Sequence, residues 1–167
     1  MSRYSIEMRG LVKVMIVTRG ILFTDILPVG KELDCPDARE KGIYITPNEL
    51  ATYFLTPWIR CYVRYIDGDF AGFGSFNISE ARWGRCELQE FYLPERWRKG
   101  YGNWRFFKWL LAHSDACHRV IARVKEDNTV TRQYLERMGW KKEAVLDGFT
   151  PAGETFIQYA LVRGAGR

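Results

Sequence analysis

Residues 96–103 read RWRKGYGN, a composition that is unusual for a surface loop. Three positive charges stand beside two glycines and two aromatic side chains. The preceding segment, CELQEFYL at 86–93, predicts a strand that ends at Pro94, because proline cannot donate to a strand ladder. The following residues, 103–113, place apolar side chains on one helical stripe. We therefore expect a glycine-rich loop that joins a strand to a helix.

Such a loop has the chemistry of a phosphate site. Unpaired amides and the helix dipole favour an anion at the start of a helix. Gly100 and Gly102 remove side chains that would keep the anion from the backbone, and Arg98 and Lys99 add positive charge. The sequence predicts a pyrophosphate cradle, with an ordinary basic turn as the alternative. It contains no Walker loop, and Arg105 stands where a dinucleotide-binding loop would have its third glycine.

The distribution of charge agrees with this interpretation. The formal net charge is +5, and residues 1–83 hold ten basic and ten acidic side chains. Residues 84–167 hold fifteen and ten, so the whole excess lies in the second half. Five basic side chains fall within 94–108 alone. A focus of this size fits a compact anionic ligand, and it also fits nucleic acid.

Length and composition predict one globular domain over 1–167. The chain has 47% apolar and 27% charged residues, and it shows neither an internal repeat nor a linker. No run approaches the ~20 apolar residues of a membrane span. The four cysteines lack metal-ligand spacing, and a cluster of Cys117 with His113 and His118 would lack a fourth ligand. We expect reduced thiols, a cytoplasmic location and no metal site.

The first half of the chain contains strand, helix and hairpin signals. Residues 4–17 predict one or two strands, whereas 18–46 give no clear assignment beyond a short helix. A helix is expected at 46–55, because Thr46 can cap it, proline follows, and a glutamate stands three residues after the cap. A turn at 67–69 predicts a hairpin of two strands.

The second half alternates strands and helices. Residues 119–124 predict a short strand, and DNTVTRQYLERMGW, 127–140, predicts a capped helix. Its expected apolar face consists of Val130, Tyr134, Leu135 and Met138. A pair of strands should flank the turn at 147–154. The order from residue 58 is β-β-β-α-β-α-β-β, which predicts a mixed α/β sheet.

Two segments together resemble the GNAT superfamily of acyl-CoA-dependent N-acyltransferases. ELQEFYLPERWRKGYGNWRFF, 87–107, is similar to the family's pyrophosphate motif, and EDNTVTRQYLERMGW, 126–140, is similar to a later family segment. The resemblance implies a mostly antiparallel, twisted, mixed central sheet of the α/β (α+β) class with helices on both faces. It also implies a coenzyme A cleft where the family's fourth strand meets its third helix. Element order matches over 58–162, whereas 1–45 match poorly and, by family habit, would shape the acceptor site.

One position departs from the family motif [Q/R]-x-x-G-x-[G/A]. Counting back from Gly100, Trp97 stands where glutamine or arginine is expected. Either Trp97 replaces that residue, or the corner is one residue shorter and Arg98 serves instead.

The resemblance implies direct transfer of an acetyl group from acetyl-CoA to a primary amine. The acceptor amine belongs to a small molecule or a protein, a nucleic acid remains open as acceptor, and homodimers are common in the family. The residues expected to bind the cofactor are Phe91, Tyr92, Leu93, Arg98, Lys99, Gly100, Tyr101, Gly102, Asn103 and Asn128.

Tyr134 matches the family's helix tyrosine and is the expected general acid, with an ordinary core tyrosine as the alternative. Asn128 has a second reading as a helix N-cap. Glu90 is preferred to Glu87 as the base, because residues three apart on a regular strand face opposite ways and burial near Phe91 would raise the pKa of Glu90. Deprotonation through water is also open. Two further hypotheses are a non-catalytic acyl-CoA-binding module and a nucleic-acid-binding protein.

Overall fold

The computed structural model describes residues 3–9, 12–98, 102–114 and 117–163, with side chains from residue 15 onward except those of 102–104. Its strands form one sheet in the order β1-β2-β3-β4-β5-β6-β8-β7. The strands are β1 (Arg3–Arg9), β2 (Val12–Gly20), β3 (Ile59–Ile66), β4 (Asp69–Asn77), β5 (Arg85–Tyr92), β6 (Arg119–Lys125), β7 (Lys141–Leu146) and β8 (Phe156–Val162).

The sheet is mixed and mostly antiparallel, as predicted. Among the described strands, β5 and β6 are the one parallel pair. The connection between them contains two helices. The α-helices are α1 (Ile26–Leu33), α2 (Pro36–Glu40), α3 (Pro47–Leu55), α4 (Glu95–Arg98), α5 (Gly102–Ala112) and α6 (Thr129–Arg137). None of the helices in the described part of the chain is long and apolar enough to cross a membrane.

Local sequence signals form the turn between β3 and β4 and the start of α3, as predicted. Asp67 and Gly68 form the turn between β3 and β4 with φ of 51° and 89°. Positive φ at both positions matches the twist of a two-residue hairpin. At α3, the Thr46 hydroxyl accepts from the Glu49 amide at 3.3 Å, and the Glu49 carboxylate accepts from the Thr46 amide at 2.7 Å. This reciprocal pair is a capping box.

Helices cover both faces of the sheet, which confirms the predicted arrangement. On one face, α5 and α6 bury Phe106, Leu110 and Leu135 against β5, β6 and β8. On the other face, α1, α2 and α3 pack on β3 and β4. Below, these are called the α5–α6 face and the α1–α3 face.

The segment 18–46 contains more helix than its sequence predicted. A 3-10 turn at Phe23–Asp25 leads into α1 and then α2. The Asp25 carboxylate organises this region, because it accepts hydrogen bonds from Arg19, the Leu22 amide and the Tyr65 hydroxyl. Arg19 and Tyr65 come from β2 and β3, and the contact with Tyr65 joins residues forty positions apart, which the sequence does not reveal.

One residue of the predicted apolar stripe on α6 was placed wrongly. Val130 is 78% exposed, whereas Tyr134 and Met138 pack against the core and Leu135 is buried. Val130 lies in the first turn of the helix and is not among the residues of the core cluster. Gly139 follows α6 with a φ of 86°, as expected for a helix terminator.

Candidate active site

The parallel strands β5 and β6 form a wedge. They are paired from Arg85 with Arg119 to Leu88 with Ala122, and pairing between them stops there. Beyond this point, 90–92 pair with β4 and 123–125 pair with β8 within the described chain. The two strands therefore separate at their carboxyl ends, which is where open α/β sheets bind ligands.

A β-bulge accompanies the separation. On β4 and β5, Phe76 is opposite Leu88 and Ser75 is opposite Glu90, so Gln89 is an extra residue. A bulge bends its strand and re-aims the side chains that follow it. The side-chain oxygen of Gln89 is buried and has no hydrogen-bond partner among the described residues.

The bulge overturns the prediction that Glu87 and Glu90 face opposite ways. Leu88 packs on the α5–α6 face, as does Phe91, so the side chains of Glu87 and Glu90 both lie on the α1–α3 face. The prediction assumed strict alternation, and one inserted residue restores the same face at a spacing of three. Glu87 is engaged in an ion pair with Arg123 of β6.

Glu90 has a strongly perturbed carboxyl group. Burial, followed by the charges of Glu87 and Glu49, raises the pKa of Glu90 to about 8 from 4.5. Within the described chain it makes neither a hydrogen bond nor an ion pair. A carboxyl group that titrates near neutral pH can remove a proton, as a general base must.

Tyr134 approaches from the α5–α6 face. Its ring meets the Phe107 ring edge to face, with centroids 5.5 Å apart. Its hydroxyl is buried and, among the described residues, has no hydrogen-bond partner. Burial raises the pKa of Tyr134, so the phenol remains protonated at neutral pH. Buried hydroxyls normally have a partner, and an unpaired donor of this kind fits a ligand atom.

Asn128 is the N-cap of α6, as its second reading predicted. Its side-chain oxygen accepts from the Thr131 amide at 3.2 Å. The cap fixes the start of the helix that holds Tyr134.

The side chains of Phe91 and Tyr92, at the end of β5, contact other parts of the protein. Phe91 meets the rings of Phe106 and Phe107, with centroids 5.8 and 5.1 Å away. Tyr92 donates from its hydroxyl to Asp37 at 2.7 Å. Beyond Leu88, the edge of β5 that faces β6 has no strand partner in the described chain, so backbone groups there are available to a ligand.

Trp97 and Arg98 both lie in α4, and both side chains are bonded to other parts of the protein. Trp97 donates from Nε1 to the Phe70 carbonyl at 3.1 Å and packs beside Ile66. Arg98 donates from Nε to the Leu93 carbonyl at 2.9 Å and forms an ion pair with Asp37. Trp97 therefore anchors α4 to β4. The choice between Trp97 and Arg98 as the motif residue depends on residues 99–101, which lie outside the described residues, so it stays a prediction.

The predicted phosphate loop is only partly described. Lys99, Gly100 and Tyr101 lie outside the described residues. Gly102 and Asn103 are the first two residues of α5. The predicted strand and helix, β5 and α5, lie on the two sides of this segment, and the short helix α4 between them was not predicted.

Sequence reasoning missed Asp37 and Cys35. Asp37 accepts from both Arg98 and Tyr92, which are more than fifty positions away along the chain. Cys35 Sγ lies 3.5 Å from the Tyr92 hydroxyl oxygen and accepts from the Ala38 amide at 3.4 Å. No spacing or motif connects these segments, so folding alone reveals the contact.

The arrangement has a carboxyl group on one face of the wedge and a phenol on the other. The unpaired Tyr134 hydroxyl and the unpaired edge of β5 are polar groups that a thioester and its amide-rich arm could satisfy. The described residues therefore fit an acyl-CoA.

Comparison with known proteins identifies the architecture. Residues 31–140 match the model of the acetyltransferase (GNAT) family. The fold is similar to spermidine N-acetyltransferase from Vibrio cholerae, solved with CoA and spermine, at a TM-score of 0.74 and 11% identity, covering 89% of this chain and 95% of that one. Ribosomal-protein-S18-alanine N-acetyltransferase from Escherichia coli gives 0.73 and 14%, covering 92% and 97%.

A third solved structure, Ard1 from Thermoplasma volcanium, gives a TM-score of 0.75 at 14% identity and covers 89% of this chain and 98% of that one. A comparison with curated protein sequences found no significant match. At these identities the structural likeness establishes the fold alone.

Proposed function

Since this chain belongs to the acetyltransferase (GNAT) family, we propose that it transfers an acetyl group from acetyl-CoA to a primary amine by direct attack. The observation that supports this best is the wedge between β5 and β6, with Glu90 on one face and the unpaired Tyr134 hydroxyl on the other. Acetyl-CoA would supply the activated acyl thioester.

The cofactor would lie along the end of β5 and over the start of α5. Backbone groups at 91–93 would bind the pantetheine arm. The loop at 98–103 would hold the pyrophosphate through its amides and its positive charge. Asn128 would act indirectly: as the N-cap of α6, it fixes the start of the helix that holds Tyr134. Trp97 would anchor α4, just before this loop, through its bond to the Phe70 carbonyl.

Glu90 would act as the general base. Its ionised carboxylate accepts a proton from the amine, directly or through one water, as the nitrogen forms its bond to the acyl carbon. A group with a pKa of about 8 suits this role, because amines lose their proton in the same range or above it. Glu87 is less suited, since its carboxylate is already paired with Arg123.

Tyr134 would act as the general acid. As the carbon–sulfur bond breaks, its phenol donates the proton that converts the leaving thiolate to a thiol. The ordinary pKa of a thiol, about 8.5, lies below that of a phenol, about 10, so this proton transfer is uphill. Burial raises the pKa of Tyr134, which keeps the phenol protonated at neutral pH. Burial of the thiolate beside it would raise the pKa of the thiol in the same way and reduce the difference. The tyrosinate and the protonated Glu90 would then return to their starting forms by exchange with solvent.

The acceptor would enter from the α1–α3 face, where Glu90 lies. The segment that matched the family poorly, 1–45, contributes α1 and α2 to that face. Solved relatives act on spermidine and on a ribosomal protein's alanine, as their names state. Amines of both kinds are therefore candidates for this protein.

An amine panel tests the proposal. The purified protein is mixed with acetyl-CoA and, one at a time, with polyamines, amino sugars, lysine peptides, peptides with free amino termini and oligonucleotides. Release of the CoA thiol is followed with a thiol reagent, and a reaction without acceptor is the control. Turnover with any amine supports the enzyme. Tight CoA binding with no turnover across the panel would favour a non-catalytic acyl-CoA module.

A further inference from the structure

Arg98 is the last described residue before the glycine loop, and the protein holds it at two points. Its Nε donates to the Leu93 carbonyl at 2.9 Å. Its Nη2 pairs with Oδ2 of Asp37 on α2. The Tyr92 hydroxyl donates to the same Asp37 oxygen at 2.7 Å. Asp37, Tyr92 and Arg98, called the Asp37 latch below, thus tie α2 to the end of β5 and to α4.

The Asp37 carboxylate stays ionised at neutral pH. Burial acts to raise the pKa of Asp37, but hydrogen bonds from Arg98 and Tyr92 outweigh it and lower the pKa. The Arg98 guanidinium lies over the Tyr92 ring at 5.9 Å, which restricts it further. Within the part of the chain that the structure describes, two of the five guanidinium N–H donors of Arg98 are used in these bonds.

Stability alone gives a weak reason for such a network. The side chains of Arg98 and Asp37 are 29% and 32% exposed, and ion pairs near the surface contribute little to the free energy of unfolding. What the pair does fix is geometry. It holds a cation one residue before Lys99, at the start of the loop proposed to bind pyrophosphate.

We propose that Asp37 is a positioning residue for coenzyme A: by holding Arg98, it sets the start of the glycine loop and the cation beside it for the phosphates. The inference rests on the proposed function, because it takes CoA as the ligand of that loop. Asp37 itself does not touch the cofactor. Its place on α2 also links the loop to the α1–α3 face, from which the acceptor would enter.

Charge and position predict opposite effects for the loss of Asp37. Asp37 is an anion beside a site for anions, so electrostatics alone would make Asp37→Asn bind CoA more tightly. If position matters more, the freed Arg98 samples other rotamers and CoA binds more weakly. The direction of the change in affinity therefore decides between a latch that positions Arg98 and one that only neutralises it.

The test measures CoA affinity by calorimetry, together with steady-state kinetics. For Asp37→Asn we expect the Kd of CoA and the KM of acetyl-CoA to rise about five- to tenfold, with kcat at saturation within about twofold of wild type. Asp37→Glu should recover part of the loss. Arg98→Gln should weaken binding too, and the double variant should be no worse than Arg98→Gln alone, because both act through one contact.

A matched control lies in the same segment. Asp34, which follows α1, forms an ion pair with Arg39 of α2, and neither side chain is bonded to Arg98 among the described residues. Asp34→Asn should leave the CoA affinity unchanged. Tyr92→Phe keeps the charges and removes one donor to Asp37, so it should raise the Kd in the same direction but less.

Three results would overturn the positioning role. Asp37→Asn could bind CoA as tightly as wild type or more tightly, the effects of Asp37→Asn and Arg98→Gln could be additive, or Asp34→Asn could weaken binding equally. If the wild-type protein failed to bind CoA, the proposed function would fall and the latch with it. Wild-type binding with an unaffected Asp37→Asn would overturn the latch alone.

Discussion

The Tyr134 hydroxyl is buried and has no hydrogen-bond partner among the described residues, which makes its removal a clean experiment. Tyr134→Phe deletes no bond within the described chain, so the fold should remain intact. If the phenol protonates the leaving thiolate, kcat should fall about 100-fold or more while the Kd of CoA changes little. Steady-state kinetics and calorimetry on the same variant provide the two measurements.

Tyr159 provides a control, because its substitution should change the stability of the protein and not its turnover. The Tyr159 ring is buried, and its hydroxyl donates to Glu136 of α6 at 2.7 Å. Tyr159→Phe should lower the melting temperature, because it removes a hydrogen bond to a charged group, and should leave kcat near the wild-type value. An unchanged kcat in Tyr134→Phe would remove Tyr134 from the mechanism.

Glu90 should set the pH dependence of the reaction. Its pKa is raised to about 8 by burial and by the charges of Glu87 and Glu49, and only the ionised form is a base. We therefore expect kcat/KM for the acceptor to rise with pH through about 8. Glu87→Gln removes a like charge, so it should move this rise to lower pH. In Glu90→Gln the rise of kcat/KM due to Glu90 should disappear, and only the pH dependence due to the acceptor amine should remain.

Glu90 also makes a prediction for stability. Because its pKa is about 8 in the folded protein and 4.5 ordinarily, the folded state binds the extra proton between those values. The free energy of unfolding should fall as pH rises through that window. Glu90→Gln should therefore melt at a higher temperature than wild type above pH 8 and lose this advantage below 4.5, as thermal unfolding at several pH values would show. Equal melting temperatures at high pH would contradict the burial of the charge.

At the scale of elements, the packing of α1 on α3 depends on one glycine. A Cβ on Gly30 would lie 2.6 Å from Cα of Pro47, which is backbone and cannot rotate away. Gly30→Ala should destabilise the protein by about 1–3 kcal/mol, because the two helices must separate. Chemical denaturation measures this, with the neighbouring exposed Lys31→Ala as control. An equal loss in both variants would indicate a helix-wide effect and not the close approach.

Sequence reasoning succeeded where structure follows from local signals. The Thr46 cap, the Asp67–Gly68 turn and the Gly139 stop each use residues within a few positions of one another. It failed at Gln89, since a bulge is visible only when β5 is aligned with its partner β4. It failed at Asp37 for a similar reason, because the partners of that carboxylate come from β5 and α4.

The same distinction between local signals and contacts of distant segments applies to the candidate site. Tyr134 and Asn128 lie where a capped helix places them, so their positions could be predicted. Glu90 was preferred to Glu87 because burial beside the aromatic residues of β5 would raise its pKa, and burial is the largest cause of the raised pKa in the structure. The accompanying assumption, that the two carboxylates face opposite ways, was wrong. Both carboxyl groups share a face, and the Arg123 ion pair distinguishes Glu87 from Glu90.

At the scale of the whole molecule, the sheet separates two approaches to the wedge. Tyr134 comes from the α5–α6 face, whereas Glu90 faces α1–α3. The acyl donor and the amine would therefore reach the gap between β5 and β6 from different directions. The excess of positive charge in the second half of the chain favours a phosphate-bearing donor on one side of this arrangement.

The most direct test of the account is amide hydrogen exchange of the protein with and without acetyl-CoA. We predict protection at the end of β5, residues 89–93, and in the first turns of α5 and α6, with little change in β1 and β2. These are the backbone groups around the wedge. Absence of any protection, or protection confined to strands away from β5 and β6, would contradict the claim that the separated strands bind the acyl donor.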